Sequence, residues 1–231
     1  MLRKLTTFVF LTIALSGLAL AQDAPKKTLD VTGEKDLVKE KSRQFEELWV
    51  RPDADFSSYS KIYLWQPVFQ FRDVSDTNVN ETSIALSRGD QGPYEVDPAD
   101  QKKFAEIVSQ VIQKEFGRSK QFTIADSIGP GTLIVYPMVL DITSNVPPNV
   151  GRPGNIYLSA MGEATFAFEI IDAETGVIQA RTADRRLIQP RSRMNEVSSV
   201  PTTRATVWND VEIWASQQVR TLRTRLDKAA K

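Results

Sequence analysis

The run from Thr132 to Thr143 constrains the fold more than any other stretch of the chain. Its residues are almost all apolar, so the side chains that alternate between the two faces of a strand are apolar on both faces. A strand of this kind avoids water by lying inside a sheet. We therefore predict a core strand here, central in a sheet that helices cover on one side.

Two amphipathic helices are predicted to supply that cover. Asp97 and Pro98 open the first, because an acceptor at the N-cap and proline at the first helical position favour a helix start, and Gly117 ends it. The second begins near Ala205, and its predicted core stripe includes Trp208, with Trp214 beside it.

Further strands complete a two-layer arrangement. The turn Asp172–Gly176 predicts a tight hairpin, because its polar residues and its glycine suit a short connection. We predict strands at 61–71, with Pro67 at an edge or a bulge, near 121–125, and on the two arms of the hairpin, 157–171 and 177–188. The order β-α-β-β-β-β-α predicts a two-layer α+β domain with a mostly antiparallel sheet and helices packed on one face.

Three long connections interrupt this pattern. Residues 72–96 are polar and unusually long for a surface loop, which makes them a candidate functional loop. Residues 146–154 and 189–203 are rich in proline, glycine or serine and flank the predicted hairpin. We predict that contacts with a partner are made through these last two loops.

The first 21 residues are typical of a cleaved secretory signal peptide. Arg3 and Lys4 precede an apolar run, and Ala19 and Ala21 form a small-x-small site before Gln22. The run is shorter than the ~20 residues that span a bilayer. Because the chain has no cysteine, we expect it to reach the periplasm without a lipid on its mature N-terminus, and we expect no later membrane span.

The remaining chain is expected to form one domain behind a leader. Residues 22–47 are charged and are predicted to be flexible or weakly helical. Leu37, Val38, Phe45 and Leu48 fall near a helical stripe, which favours a short amphipathic helix before Pro52. Residues 48–231 are predicted to form a single α+β domain.

Composition excludes several kinds of chemistry. The chain contains no histidine and no cysteine, so Ser-His-Asp and Cys-His catalysis and metal sites built from His or Cys are ruled out. We predict no cofactor and no metal. Removal of Arg3 and Lys4 with the signal segment leaves 27 basic against 29 acidic residues, a net charge of −2, and nothing in this balance points to nucleic acid as a partner.

Arginines cluster around the last predicted strand and the loop after it. A site for a phosphate, an anionic headgroup or an acidic polymer is one interpretation, since guanidinium groups bind such anions through paired hydrogen bonds. A charged edge that resists strand-to-strand aggregation is the other, with Asp184 and Glu196 neutralising part of it. The candidate anion or partner surface comprises Arg181, Arg185, Arg186, Arg191 and Arg193, and Arg204 follows.

The acidic residues leave one enzymatic alternative. Asp172 and Glu174 lie on the predicted hairpin turn, where exposure leaves a carboxyl poorly suited to acid/base work. Asp141 ends the core strand, and the sequence identifies no partner for it. A carboxylate-dependent hydrolase would need two acidic groups about 5 to 9.5 Å apart in a cleft.

Several short motifs follow one another along the chain: Trp49–Tyr59 followed by Lys61–Leu64, the helix after Asp97, Pro130–Leu133, Asp172–Gly176 and Asp184–Arg186. Their order resembles the DUF3313 family of exported, mostly Gram-negative proteins of unknown function. The resemblance covers about residues 48–228 and implies an envelope location and this fold, without naming catalytic residues. Many members resemble lipoproteins, whereas this chain has no lipobox cysteine.

These observations favour a periplasmic module that is not an enzyme and that binds an envelope protein or a cell-wall or anionic polymer. The alternative is the carboxylate-dependent hydrolase, acting on envelope glycans. A structural protein that associates through a sheet edge is a third possibility, and the oligomeric state is left open.

Overall fold

The computed structural model describes residues 34–74, 93–148, 156–190 and 201–231. Over these ranges the chain forms one open sheet of eight strands with two helices packed beside it, which confirms the predicted α+β class. The predicted signal segment, its cleavage site at Ala19, Ala21 and Gln22, and the surface arginines Arg191 and Arg193 lie outside the described residues.

The sheet is built around its longest strand. The strands are β1 (Val38–Lys39), β2 (Glu47–Val50), β3 (Lys61–Leu64), β4 (Val68–Phe71), β5 (Thr123–Ile124), β6 (Thr132–Ser144), β7 (Gly162–Asp172) and β8 (Ile178–Ile188). Their order is β1-β2-β8-β7-β6-β3-β5. The strand β4 also pairs with β6, along the part of β6 that follows its pairing with β3. The pairs β1–β2, β2–β8, β8–β7 and β7–β6 are antiparallel. The strands β3 and β4 run parallel to β6, and β5 runs parallel to β3.

The predicted core strand is confirmed as β6, inside the sheet. Leu133, Val135 and Val139 are fully buried under the helices, and Ile134 is buried on the opposite face. The apolar faces therefore correspond to two unequal cores, a large one beneath the helices and a small one on the outer face of the sheet.

The predicted strand over 61–71 is two strands, β3 and β4. The break falls between the pairs Leu64 with Val135 and Val68 with Met138, an interval that contains Pro67 and Pro137, and neither proline has an N–H to donate to the ladder. Trp65 still donates its backbone N–H to the carbonyl of Val135, at 2.9 Å, before the pairing lapses. Both short strands then run parallel to β6, one along each half of it.

The predicted amphipathic helix before Pro52 is wrong. Residues 34–50 contain a short 3-10 turn and the strands β1 and β2, which pair with each other. β2 also pairs with β8, so backbone hydrogen bonds to a long strand satisfy this segment better than an isolated helix would. Phe45 and Leu48 are buried in the main core, whereas Val38 is more than half exposed.

Helix α1 (Pro98–Phe116) begins as predicted. The Asp97 carboxylate accepts hydrogen bonds from the backbone N–H groups of Ala99 and Asp100, at 2.9 and 3.0 Å, and Gly117 is the C-cap. Helix α2 (Arg204–Ala229) is capped by the reciprocal hydrogen bonds of Thr203 and Thr206.

The two helices run parallel to each other. Contacts proceed in the same order along both, from Asp100 with Arg204, through Phe104 with Trp214, to Glu115 with Arg220. Both N-termini therefore lie at one end of the molecule and both C-termini at the other.

Trp208 packs against the main core as predicted but is only half-buried, and Trp214, predicted beside the stripe, is the more deeply buried of the two. Trp214 is 4% exposed and packs against Phe104 and Phe166, with ring centroids 6.2 and 5.6 Å away, whereas Trp208 is half-buried. Val211, Ala215 and Val219 are buried on the same face of α2, where Trp214 also contacts the aromatic rings of α1 and β7.

The predicted hairpin between β7 and β8 is confirmed. Asp172 accepts hydrogen bonds from the backbone N–H groups of Glu174 and Thr175, and Gly176 has a positive φ of 71°. The Tyr59 hydroxyl donates to the other Asp172 oxygen at 2.9 Å, and burial raises the pKa of Tyr59 to about 12. This contact ties the segment before β3 to the hairpin.

A buried ionic cluster joins the C-terminal ends of the helices. Glu115 is only 1% exposed and receives hydrogen bonds from Arg118 at 2.7 Å and Arg220 at 3.3 Å. Arg223 bridges to Asp227 at 3.3 Å and lies 3.9 Å from Glu115. Positive charge here also complements the negative ends of both helices.

Removing Arg223 should be far more costly than removing a neighbouring surface arginine. We expect Arg223→Ala to lower the free energy of unfolding by about 3 kcal/mol, because it leaves two buried carboxylates undercompensated. Arg225→Ala is the matched control, since Arg225 is 39% exposed and its pairing with Glu40 at 3.6 Å should contribute less than about 1 kcal/mol. Urea denaturation measures both, and equal losses would contradict a special role for the cluster.

Candidate functional site

A β-bulge at Asp141 sets the geometry at the far end of β6. Between the register pairs Leu140 with Thr165 and Thr143 with Glu163, β6 contains one residue more than β7. Asp141 has a φ of 54°, in the left-handed region that few residues other than glycine adopt. The extra residue reverses the alternation, so Ile142 enters the main core and Asp141 does not.

Two arginines hold the Asp141 carboxylate. Arg72 donates two hydrogen bonds to it, at 2.6 and 2.5 Å, and Arg185 donates a third. Arg185 also donates to Glu163 at 2.5 Å, so the four charges alternate in sign. Hydrogen bonds from Arg72 and then Arg185 lower the pKa of Asp141 to about 2.

The described members of the predicted anion surface are already engaged by carboxylates. Arg181 donates to Glu169 at 2.5 Å, and Arg186 donates to the buried Asp184 at 2.8 Å. Arg181 and Arg185 point to the same side of β8, and Arg186 to the other. The structure therefore brings two of these arginines onto one face and pairs each with an acid.

Asp141 has the wrong electrostatics for the general acid of a hydrolase. Such a residue needs a raised pKa, whereas that of Asp141 is lowered. Sequence reasoning missed its partners because Arg72 and Arg185 are distant along the chain. Asp141 is a charged residue within an otherwise apolar strand, and this was the sequence feature that could have predicted the bulge.

A cleft lies on the inner side of the same bulge, at the end of the molecule that carries both helix N-termini. Its volume is about 120 Å³. Ile142 and Phe104 contribute to its floor, and Val211 and Trp208 line it from α2. The other lining residues are Phe71, Glu95, Val96, Asp97, Asp100, Thr143, Ser144, Val146, Pro147, Pro148, Met161, Ile188, Arg204 and Val207.

The charged residues of the cleft are mainly acidic. Asp97 is occupied by the first turn of α1, whose backbone N–H groups lower its pKa. Burial raises the pKa of Asp100, which lies 3.6 Å from the more exposed guanidinium of Arg204. Glu95 is exposed at the rim. Three carboxylates thus line the cleft beside Arg204, with Lys103 close to Asp100.

Close backbone contact fixes the wall formed by β6 and β7. A Cβ added at Gly162 would lie 2.0 Å from the Thr143 carbonyl oxygen, so only glycine permits this approach. Asn145 then donates its backbone N–H to the Met161 carbonyl at 2.8 Å. On α2, the Trp208 ring lies under Lys103, whose Nζ is 4.8 Å from the ring centroid.

Two features are absent from the described residues. No group of three or more His, Cys, Asp or Glu side chains is arranged there to hold a metal ion. Among the helices of the described ranges, none is long and apolar enough to cross a bilayer.

The Asp141 contacts predict a stability difference that depends on pH. Asp141→Asn keeps a side chain that tolerates positive φ but removes the charge, whereas Asp141→Ala also adds backbone strain, so alanine should be the more destabilising. Because the lowered pKa favours the folded state above about pH 4, the advantage of the wild type over Asp141→Asn should shrink between pH 4 and 2.

We expect this advantage to be about 1 kcal/mol at neutral pH, because the Asp141 side chain is 38% exposed and solvent screens its pairs. Urea denaturation at several pH values measures it, and Asp126→Asn, at an exposed aspartate, is the control. An advantage of Asp141 that stays constant down to pH 2 would contradict the assigned pairing.

Comparisons with solved structures give likenesses at low identity. A PelC dodecamer from Paraburkholderia phytofirmans is 10% identical, with a TM-score of 0.33 over 74% of this chain and 91% of that one. A Xanthomonas campestris protein of the DUF330 family is 11% identical, with a TM-score of 0.43 over 74% and 85%. A hypothetical protein from Chlamydia trachomatis is 8% identical, with a TM-score of 0.36 over 74% and 98%.

Such low scores leave function to be inferred from this chain's own residues. No curated protein matches the chain. The family model DUF3313, described as a protein of unknown function, matches residues 30–208, which is most of the chain and spans nearly all of the sheet. The chain therefore belongs to the DUF3313 family.

Proposed function

We propose that this protein is an exported periplasmic module of the cell envelope that binds a partner in the cleft and has no enzymatic activity. The observation that carries the proposal is that the described ends of two predicted loops, and the first residue after a third, line one cavity. Glu95 and Val96 come from the end of loop 72–96, Val146 to Pro148 begin loop 146–154, and Arg204 follows loop 189–203. Binding residues commonly lie on loops that a rigid scaffold positions.

The side chains in the cleft favour binding over catalysis. Asp97 is committed to capping α1, and Asp100 lies beside Arg204. The chain offers no histidine to act as a general base and no cysteine to act as a nucleophile. Apolar walls with a few polar groups at the mouth are typical of a recognition site.

Export is supported by the first 21 residues, whose basic start, apolar run and small-x-small end form a signal pattern. The absence of cysteine supports a mature chain that is not held by an N-terminal lipid. In this proposal the partner keeps the protein at its site of action.

The export proposal predicts the N-terminus of the mature protein. In a Gram-negative host, the periplasmic form should begin at Gln22, as measured by intact mass. Ala19→Arg should cause the precursor to accumulate, because a large charged residue replaces a small one at the cleavage site. Asp23→Asn, just beyond the site, is the control and should be processed normally. A cytoplasmic, uncleaved wild-type chain would contradict export.

Binding at the cleft is tested by site-specific photo-crosslinking in the native host. A photoreactive residue at Pro148, which is exposed at the rim, should yield a discrete adduct, whereas one at Glu174 on the distant hairpin should not. The adduct should also disappear when Val146→Trp fills the cleft. Equal labelling at both positions, or an adduct that survives the filled cleft, would overturn the assignment of this cleft as the binding site.

A further inference from the structure

The size of the cleft limits what it can hold. Pockets that enclose a small-molecule ligand usually measure about 300–1,000 Å³. The present volume is about 120 Å³, and a dry protein cavity of roughly 150 Å³ accommodates one benzene molecule. The cleft therefore suits a single apolar side chain and is too small to enclose a cofactor or a lipid tail.

Its walls match an apolar occupant. Phe104, Ile142 and Val211 are nearly fully buried and belong to the main core, so the floor of the cleft is rigid. Phe71 packs edge-on against Phe104, with ring centroids 5.7 Å apart. An inserted hydrocarbon side chain would bury the remaining exposed surface of the half-buried Phe71, Val146 and Trp208, which is favourable.

The rim adds a preference for positive charge beside that side chain. Glu95 is exposed, and Asp100 retains 28% of its side-chain surface, 3.6 Å from Arg204 and near Lys103, so the acidic groups still outnumber the basic ones. Asp97 contributes a third carboxylate close by. A cation at the mouth would be attracted, whereas an anion would meet net negative charge.

We propose that the cleft receives one large apolar side chain of a protein partner and that a lysine or arginine next to that side chain contacts the acidic rim. The inference rests on the proposed binding function and names its partner class. A buried apolar anchor in a pocket, surrounded by polar contacts, is how protein interfaces concentrate their affinity. An anionic cell-wall polymer lacks both the apolar anchor and the positive charge.

A peptide selection tests this directly. A random 12-residue phage library is selected on the mature chain and counter-selected on Val146→Trp, which fills the cleft. If a thermal melt shows that Val146→Trp does not fold, Val207→Phe on the α2 wall is used in its place. Enriched sequences should share an aromatic or large aliphatic residue next to Lys or Arg.

The best enriched peptide is then synthesised and its affinity measured by fluorescence anisotropy. Replacing its apolar anchor with alanine should weaken binding at least about tenfold. Glu95→Lys should weaken binding about threefold, in the range of an exposed charge pair. Glu174→Lys, with the same charge change on the hairpin, should leave affinity unchanged.

The outcomes separate this inference from the proposed function. Enrichment of acidic neighbours, peptides that bind the filled variant equally well, or no enrichment would each overturn the inference. If the Pro148 adduct is nevertheless lost in the Val146→Trp variant, the proposed function stands with a different ligand class, a polymer included. If the photoreactive residue at Pro148 gives no adduct even without the Val146→Trp substitution, both the inference and the proposed function are wrong.

Discussion

The one-residue bulge at Asp141 in β6 is the constraint on which the end of the molecule that carries the cleft depends. Without it, strict alternation would direct a carboxylate into the main core at the position that Ile142 now occupies. The bulge places Ile142 in the floor of the cleft and leaves Asp141 to Arg72 and Arg185. The hydrogen bonds to these arginines offset the unfavourable φ of 54°.

The parallel arrangement of the helices divides the molecule into two unlike ends. At the C-terminal end, Glu115 and Asp227 are buried against arginines, so the charges there are paired within the fold. At the N-terminal end, Asp97 caps α1 and Thr203 caps α2, so the backbone N–H groups are satisfied locally. The cleft can therefore remain apolar inside, with charge confined to its rim.

The sequence predicted those elements whose signals are local. Asp97 with Pro98, the 172–176 turn and the doubly apolar β6 each carry their own chemistry, and all three were correct. The errors arose where tertiary contacts decide: β8 pairs with β2, which became a strand, and contacts with Phe104 and Phe166 bury Trp214 more deeply than Trp208. The cleft could not be predicted for the same reason, since its lining comes from segments far apart in sequence.

The chain has neither histidine nor cysteine, and its cleft is best explained by the packing of the core. Its apolar lining is an extension of the main core that the loops leave open, because Val146 and Met161 belong both to that core and to the lining. An apolar side chain from a partner would complete the core at that point, at a site that the packed helices hold rigid before binding. Recognition of this kind needs no reactive group, and it follows from the same burial of apolar surface that stabilises the fold.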